Sequence, residues 1–401
     1  MLSVAEASGR IVDAMKPTSA ETVSLAEAWG RVTAAAVNAR LTQPPADVSA
    51  MDGYGLRAAD GTLGARLTVI GSAPAGHPFP GTVGPGQAVR IFTGSVVPPG
   101  VDAILLQEDA SRDDDQVIVN EAVVARRHIR AAGQDFHLGD LLVAAGHRLG
   151  ARDIGLCAAG NHPWLAVHRR PVVGILATGD EIALPGDPIT DGGIVSSNAH
   201  ALAALVRARG GTPIVLPIAA DDTAAIGAVA DSLRGIDLLI TTGGASVGDH
   251  DLVQAALGQR GFHVDFWKIA MRPGKPLMFG QLAGVPVLGL PGNPVSALVC
   301  AILFLIPALD RLSGLPGVTL PTIPARLGAP IAANDHRADH LRGTASLAPD
   351  GSLLASAFTR QDSALLRALA GADLLILRPP HAPAAAAGDP VEVIRLDALG
   401  L

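Results

Sequence analysis

The stretch Val172-Val173-Gly174-Ile175-Leu176-Ala177, followed at once by Thr178-Gly179-Asp180-Glu181, decides the fold of the middle of the chain. Six small apolar residues bounded by Pro171 and by a Gly-plus-acid turn read as a strand buried on both faces. The rhythm of strand, loop and helix continues outward. Asn198 to Arg209 reads as a helix, Pro213 to Ile218 as a second strand, and Asp222 to Leu233 as a helix. Ile236 to Thr241 reads as a third strand feeding Gly243-Gly244, and Asp251 to Leu257 is helical. Val285 to Leu290 is a further strand running into Pro291. Pro286 cannot donate to a ladder and so suits that strand's beginning. This alternation predicts a doubly wound α/β domain over residues 171–312, with ligands at the carboxyl ends of its strands.

The chain has 401 residues, more than one hydrophobic core usually serves, so several domains are expected. Hydrophobic residues make up 49% but aromatics only 3%, so the cores are built from Ala, Val, Leu and Ile. Residues 2–36 read as mostly helical, and Ser24 with Glu27 fits a capping box at the start of a second helix. Over 40–143, runs such as Leu67 to Ile70, Ala88 to Ile91 and Val117 to Val119 alternate with Gly/Pro clusters, an all-β pattern. Residues 144–168 return to helix, including Ala151 to Ala159. The expected organisation is therefore a helical linker domain split between 1–39 and 144–170, with the N-terminal helices packing on the later segment. A β-rich domain occupies 40–143, the α/β domain 171–312, and a C-terminal β domain 320–401. In that last part Gly343 to Ser346, Leu353 to Phe358 and Val391 to Ile394 are candidate strands, and the Ala/Pro-rich stretch from His381 to Gly388 a loop.

Composition removes several function classes. The formal net charge is -7 and no basic run exists to neutralise a nucleic-acid backbone, so no nucleic-acid partner is expected. Cys157 and Cys300 lie far apart in apolar settings and read as two buried thiols. The charged N-terminus lacks a signal-peptide core, and no run reaches the ~18 uninterrupted apolar residues of a membrane span. A soluble, cytoplasmic protein with no membrane contact is expected.

Chemistry concentrates in Gly-rich turns. Thr178-Gly179-Asp180-Glu181 lets backbone approach a ligand while an acid orients a hydroxyl or cation, or else caps its own turn. Gly243-Gly244-Ala245-Ser246-Val247-Gly248 follows a strand and can wrap a phosphate with successive N–H groups, though it is neither a P-loop nor a dinucleotide fingerprint. Asp249 and Asp251 beside it suit Mg²⁺ or a helix N-cap. Lys268, Arg272 and Lys275 surround a Pro-Gly turn, with Phe266, Trp267 and Phe279 close by, and point to an oxyanion. In the N-terminal half, Asp52 and Asp135 sit in Gly-containing turns.

Read together, these segments resemble the molybdopterin molybdenumtransferase (MoeA-like) family, which includes the E domain of gephyrin. The resemblance rests on SAMDGY at 49–54, RIFTGSVVPPG at 90–100, AAGQDF at 131–136 and LATGDE at 176–181. It continues through SSNAHALAAL at 196–205, TTGGASVGDHD at 241–251, WKIAMRPGKPLMFG at 267–280 and GLPGNPVSA at 289–297. It implies the four parts above, with the α/β domain binding molybdopterin. It also implies a homodimer whose clefts lie between one subunit's α/β domain and the partner's β domain. The implied reaction inserts molybdate into adenylylated molybdopterin, releasing AMP with the help of Mg²⁺. Transient contacts with a molybdopterin adenylyltransferase and with molybdoenzyme maturation proteins are implied as well. Two rival readings are the adenylyltransferase itself and a non-catalytic molybdopterin-binding scaffold.

By position, the resemblance implies that Asp52, Asp135, Glu181, Asp251, Lys268, Arg272 and Lys275 serve catalysis. Thr93, Thr178, Asp221, Gly243, Gly244, Ser246, Gly248, Pro291, Pro294 and Ser363 would bind substrate, and Asp52, Glu181, Asp249 and Asp251 would hold the metal. Two departures stand out. Gln361-Asp362-Ser363-Ala364 replaces the family's frequent Gln-Gly-Ser-Gly, and Arg272 stands where lysine is usual.

Overall fold

The computed structural model describes residues 1–220, 222–230, 233–243, 252–317 and 320–399. At its centre is a six-stranded sheet in the order Thr212–Val215, Val172–Ala177, Leu238–Thr242, Val285–Leu290, Met278–Leu282, Phe262–Trp267. The first four strands are parallel and the last two pair antiparallel. Alternation along the strands feeds two cores. Leu238 and Ile240 join Val173 and Ile175 on one face, whereas Leu239 joins Leu176 and Val287 on the other. The helices Asn198–Ala208 and Pro294–Leu312 cover the first face, and the core of the second draws on Ile226, Val253 and Leu257 from the helices Thr223–Ala230 and Leu252–Gly258. This is the doubly wound arrangement expected of buried, Val/Ile/Leu-rich parallel strands.

The chain leaves Val172–Ala177 for the edge strand Thr212–Val215 and then returns to the opposite side at Leu238–Thr242. That reversal opens a crevice at the carboxyl ends of the two inner strands, where ligands bind in such sheets. Phe262–Trp267 and Met278–Leu282, which the sequence reading did not identify, extend the sheet. Trp267 lies opposite Met278 and Met278 opposite Gly289, so Trp267 ends at the same edge as Leu290.

The 19-residue helix Pro294–Leu312 has a mean hydropathy of 2.0 and is 78% buried. It is long and apolar enough to cross a membrane, but here it is a core helix. A wide π turn at Ala301–Leu305 precedes Pro307, which has no N–H for the regular ladder and would crowd it.

The N-terminal expectation needs correction. The only α-helix in residues 1–39 is Val4–Ala14. Its capping box is Ser3/Glu6: Ser3 N–H donates to the Glu6 carboxylate at 2.8 Å, and Glu6 N–H donates to Ser3 Oγ at 3.2 Å. Ser24 instead ends the strand Ala20–Ser24, which the run Thr22-Val23 favours, and is followed by one 3₁₀ turn without a side-chain cap. That strand pairs antiparallel with Trp164–His168 and so draws the beginning of the chain to the segment after 144. The helix Val4–Ala14 does not join that segment: Ala7, Ile11 and Met15 are buried in the α/β core, against the C-terminal part of Pro294–Leu312.

Between these pieces, Gly53–Leu56, Arg66–Ala73, Gln87–Ile91, Ala103–Leu106, Ala110–Asp113 and Gln116–Val119 form an open six-stranded sheet. The C-terminal part closes on itself. Ala338–Leu347 pairs with both Leu353–Ala357 and Leu374–Arg378, and Ile323–Leu327 and Pro390–Arg395 complete the ring. Met271–Arg272 from the α/β domain adds to this barrel beside Ala338–Asp339.

Two outcomes follow from the packing. Ile11 is fully buried, so Ile11→Ala should lower denaturant-measured stability by about 2–5 kcal/mol. Burial lowers the pKa of His340 from 6.5 to about 4, so the unfolded chain takes up this proton first as pH falls. Its contribution is intact above about pH 6.5 and is lost towards pH 4, by roughly 3 kcal/mol. Urea unfolding from pH 7 to 4.5 should show a decline that is shallower in His340→Leu.

Candidate active site

A cleft of about 820 Å³ lies where the sheet topology reverses. Its floor is Ala177, Thr242 and Gly243 at the strand ends. One wall is Ser196, Ser197 and Asn198, another is Pro291, Gly292, Asn293 and Pro294, and Glu181, Ile182, Ile194 and Val195 form a rim. Each part has a local cause. Ile182–Ala183 pairs with Ile194–Val195 and folds the intervening loop into a flap. Gly243 has φ +95, and a Cβ there would lie 2.3 Å from the Thr178 carbonyl, so only glycine lets these two strand ends meet.

Asn198 ties the floor to both walls. Its side-chain amide donates to Thr242 Oγ1 at 2.9 Å and to the Gly292 carbonyl at 2.7 Å, and Thr242 Oγ1 donates on to the Pro291 carbonyl at 3.3 Å. This brings together the starts of two helices, Asn198–Ala208 and Pro294–Leu312. Neither Ser197 nor Asn293 caps its helix with a side-chain hydrogen bond. The first-turn N–H groups of Asn198–Ala208 and the positive ends of two helix dipoles make this wall suited to a phosphate or similar anion. Beneath it the Thr178 hydroxyl is buried and has no partner among the described residues.

Of the residues singled out from the sequence, Glu181, Gly243, Pro291 and Pro294 line the cleft, and Thr178 lies under it. Ser363 reaches it through its carbonyl, which accepts from Val295 N–H at 3.1 Å and seats the Ala364 loop on the rim. Lys268, Arg272 and Lys275 leave the same sheet edge, with Pro276 of their loop in the cleft wall. Arg272 is held by Asp339, Nε to Oδ1 at 2.9 Å and Nη2 to Oδ2 at 2.5 Å. Asp221, Gly244, Ser246, Gly248, Asp249 and Asp251 lie outside the described residues.

Asp52, Thr93 and Asp135 do not line the cleft: Asp52 and Thr93 flank strands of the open sheet, and Asp135 lies in a loop, its backbone N–H donating to the Gln43 carbonyl at 3.1 Å. Asp52 Oδ1 accepts from Thr93 N–H at 2.7 Å and Thr93 Oγ1 at 2.8 Å, and these bonds hold its carboxyl below the usual range. Asp135 is exposed in the loop that follows Gly133. Among the described residues no group of three His, Cys, Asp or Glu side chains forms a metal cage.

Sequence reasoning missed Asn198, Thr242 and Asn293, although SSN and PGN are turn-like stretches each opening a helix. It also missed Arg342. This arginine is buried, donates its backbone N–H to Gln361 Oε1 at 3.0 Å, and donates through Nη2 to the Asp362 carbonyl at 3.2 Å. It therefore fixes the loop carrying Ser363, and the Asp362 carboxylate accepts from Ala364 N–H at 2.8 Å, closing a local turn.

Comparison with known proteins finds similarity over most of the chain. Residues 2–160 match the MoeA N-terminal region (domain I and II), 174–311 a probable molybdopterin binding domain, and 324–396 the MoeA C-terminal region (domain IV). The molybdopterin molybdenumtransferase of a Nostoc species is 38% identical over 304 residues, covering 74% of this chain and 70% of the relative. Molybdopterin molybdenumtransferase 2 of Mycobacterium tuberculosis is 37% identical over 363 residues, covering 86% and 89%. Among solved structures, a molybdopterin biosynthesis MoeA protein from Pyrococcus horikosii superposes with a TM-score of 0.84 at 29% identity, covering 98% of this chain and 99% of that one.

The cleft is expected to depend on the Asn198 tie. Asn198→Ala removes two donated bonds and leaves the Gly292 carbonyl short of a donor, which should cost about 1–3 kcal/mol in thermal or urea unfolding.

Proposed function

The chain belongs to the molybdopterin molybdenumtransferase family, and from that premise we propose that it inserts molybdate into adenylylated molybdopterin, releasing AMP and forming molybdenum cofactor. The observation that carries this reading is the cleft where two helix starts without side-chain caps and Gly243 converge. That wall binds the pterin's phosphate by backbone N–H groups, and Asn198 keeps it rigid, so little reorganisation is needed when charge develops. The floor hydroxyls of Thr178 and Thr242 accept or donate as the substrate requires.

Lys268, with Lys275, supplies positive charge at the open end of the loop, where molybdate approaches the dithiolene sulfurs. Arg272 already has its carboxylate in Asp339, so its part is to hold the loop and extend the positive field. The donors present fit Mg²⁺, which prefers one or two carboxylates together with phosphate oxygens and water. Glu181 is the carboxylate in the described cleft wall that would hold it. When bound there, Mg²⁺ would neutralise charge on the phosphoanhydride as AMP leaves.

Asp52, Thr93 and Asp135 act in this scheme from a partner subunit of a homodimer, completing the other copy's cleft. The protein would work in the cytoplasm, receiving its pterin from a molybdopterin adenylyltransferase and passing cofactor to molybdoenzyme maturation proteins. An adenylyltransferase reading accounts for the α/β domain and leaves the matches at 2–160 and 324–396 without a task.

Purified protein supplied with adenylylated molybdopterin, molybdate and Mg²⁺ should release AMP and yield metal-bound pterin in equal amounts. Glu181→Gln and Lys268→Ala should each slow turnover by on the order of 10²-fold. Pterin binding without either product would favour a scaffold.

A further inference from the structure

Lys268 lies one residue beyond the strand Phe262–Trp267 and has φ +70, a left-handed conformation uncommon for a lysine. The turn is held on both sides: Lys268 N–H donates to the Leu277 carbonyl and Ile269 N–H to the Lys275 carbonyl, each at 3.0 Å. This backbone places the ammonium over the preceding residue rather than away from it, with Nζ 3.8 Å from the centroid of the Trp267 ring. Among the described residues Lys268 has no carboxylate partner. Arg272 in the same loop shows the contrast, being locked bidentate to Asp339.

The indole is itself fixed. Trp267 packs against the second core of the sheet, its Nε1 is buried without a partner among the described residues, and its backbone pairs with Met278. A rigid π face attracts a cation without cancelling its charge, whereas a carboxylate at that place would neutralise it and compete with an arriving anion.

We propose that Trp267 is a positioning residue for the oxyanion: it parks the Lys268 ammonium on its ring, desolvated on one side and with no carboxylate partner among the described residues, from which molybdate draws it away. This rests on the reading of the cleft given above. Its consequence falls on capture of molybdate more than on the chemical step. Losing the π face leaves Lys268 to sample its rotamers, so Trp267→Leu should raise KM for molybdate about two- to fivefold with kcat nearly unchanged. Trp267→Phe keeps a ring and should restore most of the loss.

The test uses the full-length protein carrying Trp29→Phe and Trp164→Phe, both at exposed positions, so that emission reports Trp267 alone. Titration with molybdate should change that emission saturably, and the change should vanish in the same protein carrying Lys268→Met. AMP release that proceeds with Trp267 emission unresponsive, or a Trp267→Leu protein with an unaltered KM, would overturn the parking role and leave the transferase reading standing. Absence of both molybdate binding and AMP release would overturn the two together.

Discussion

One side chain, Asn198, holds the cleft together. Its amide bridges the end of Leu238–Thr242, the third parallel strand of the central sheet in chain order, through Thr242, and the turn after the fourth, Val285–Leu290, through Gly292. Those two points belong to neighbouring parallel strands, and Asn198 itself opens a helix that follows the first strand. A single pair of hydrogen bonds therefore sets the relative position of three strand-to-helix junctions. Two helix starts face one space because of it, and the anion-binding character of the wall follows from their dipoles and from the first-turn N–H groups of Asn198–Ala208. Gly243 makes the arrangement sterically possible, since any Cβ would run into the Thr178 carbonyl.

Around this centre, the other parts of the chain brace the loops. The C-terminal barrel contributes Asp339 to the Arg272 loop and, through Arg342 and Gln361, holds the segment whose Ser363 carbonyl caps Val295. The barrel is thus a clamp on two sides of the cleft as well as a separate domain. The N-terminal helix Val4–Ala14 acts similarly from below, its apolar face completing the core under Pro294–Leu312.

Much of this was legible in the sequence. The α/β rhythm showed because buried parallel strands are written as unbroken apolar runs ended by Gly turns, as in Val172 to Gly179. Phe262–Trp267 escaped because His263 and Asp265 interrupt its apolar run at a sheet edge, where one side is wet, and Met278–Leu282 because Gly280 and Gln281 break a run of only five residues. The N-terminal region misled for a different reason: Ala- and Glu-rich composition favours helix locally, but pairing with Trp164–His168 turns Ala20–Ser24 into a strand. For the site, residues within Gly-rich turns could be found by pattern. Asp339 and Arg342 could not, because they act across 67 residues on Arg272 and across 20 on Asp362, and nothing local marks a barrel strand as their bearer. Asp52 and Thr93, both singled out, proved to be partners in one hydrogen-bonded unit, 41 residues apart.

The central claim is that the phosphate of the bound pterin sits at the junction organised by Asn198. A crystal structure of the protein soaked with adenylylated molybdopterin tests it most directly. The account predicts phosphate oxygens within hydrogen-bond reach of the backbone N–H groups opening Asn198–Ala208 and of Gly243. Pterin density at any other surface, with this cleft filled only by solvent, would contradict it.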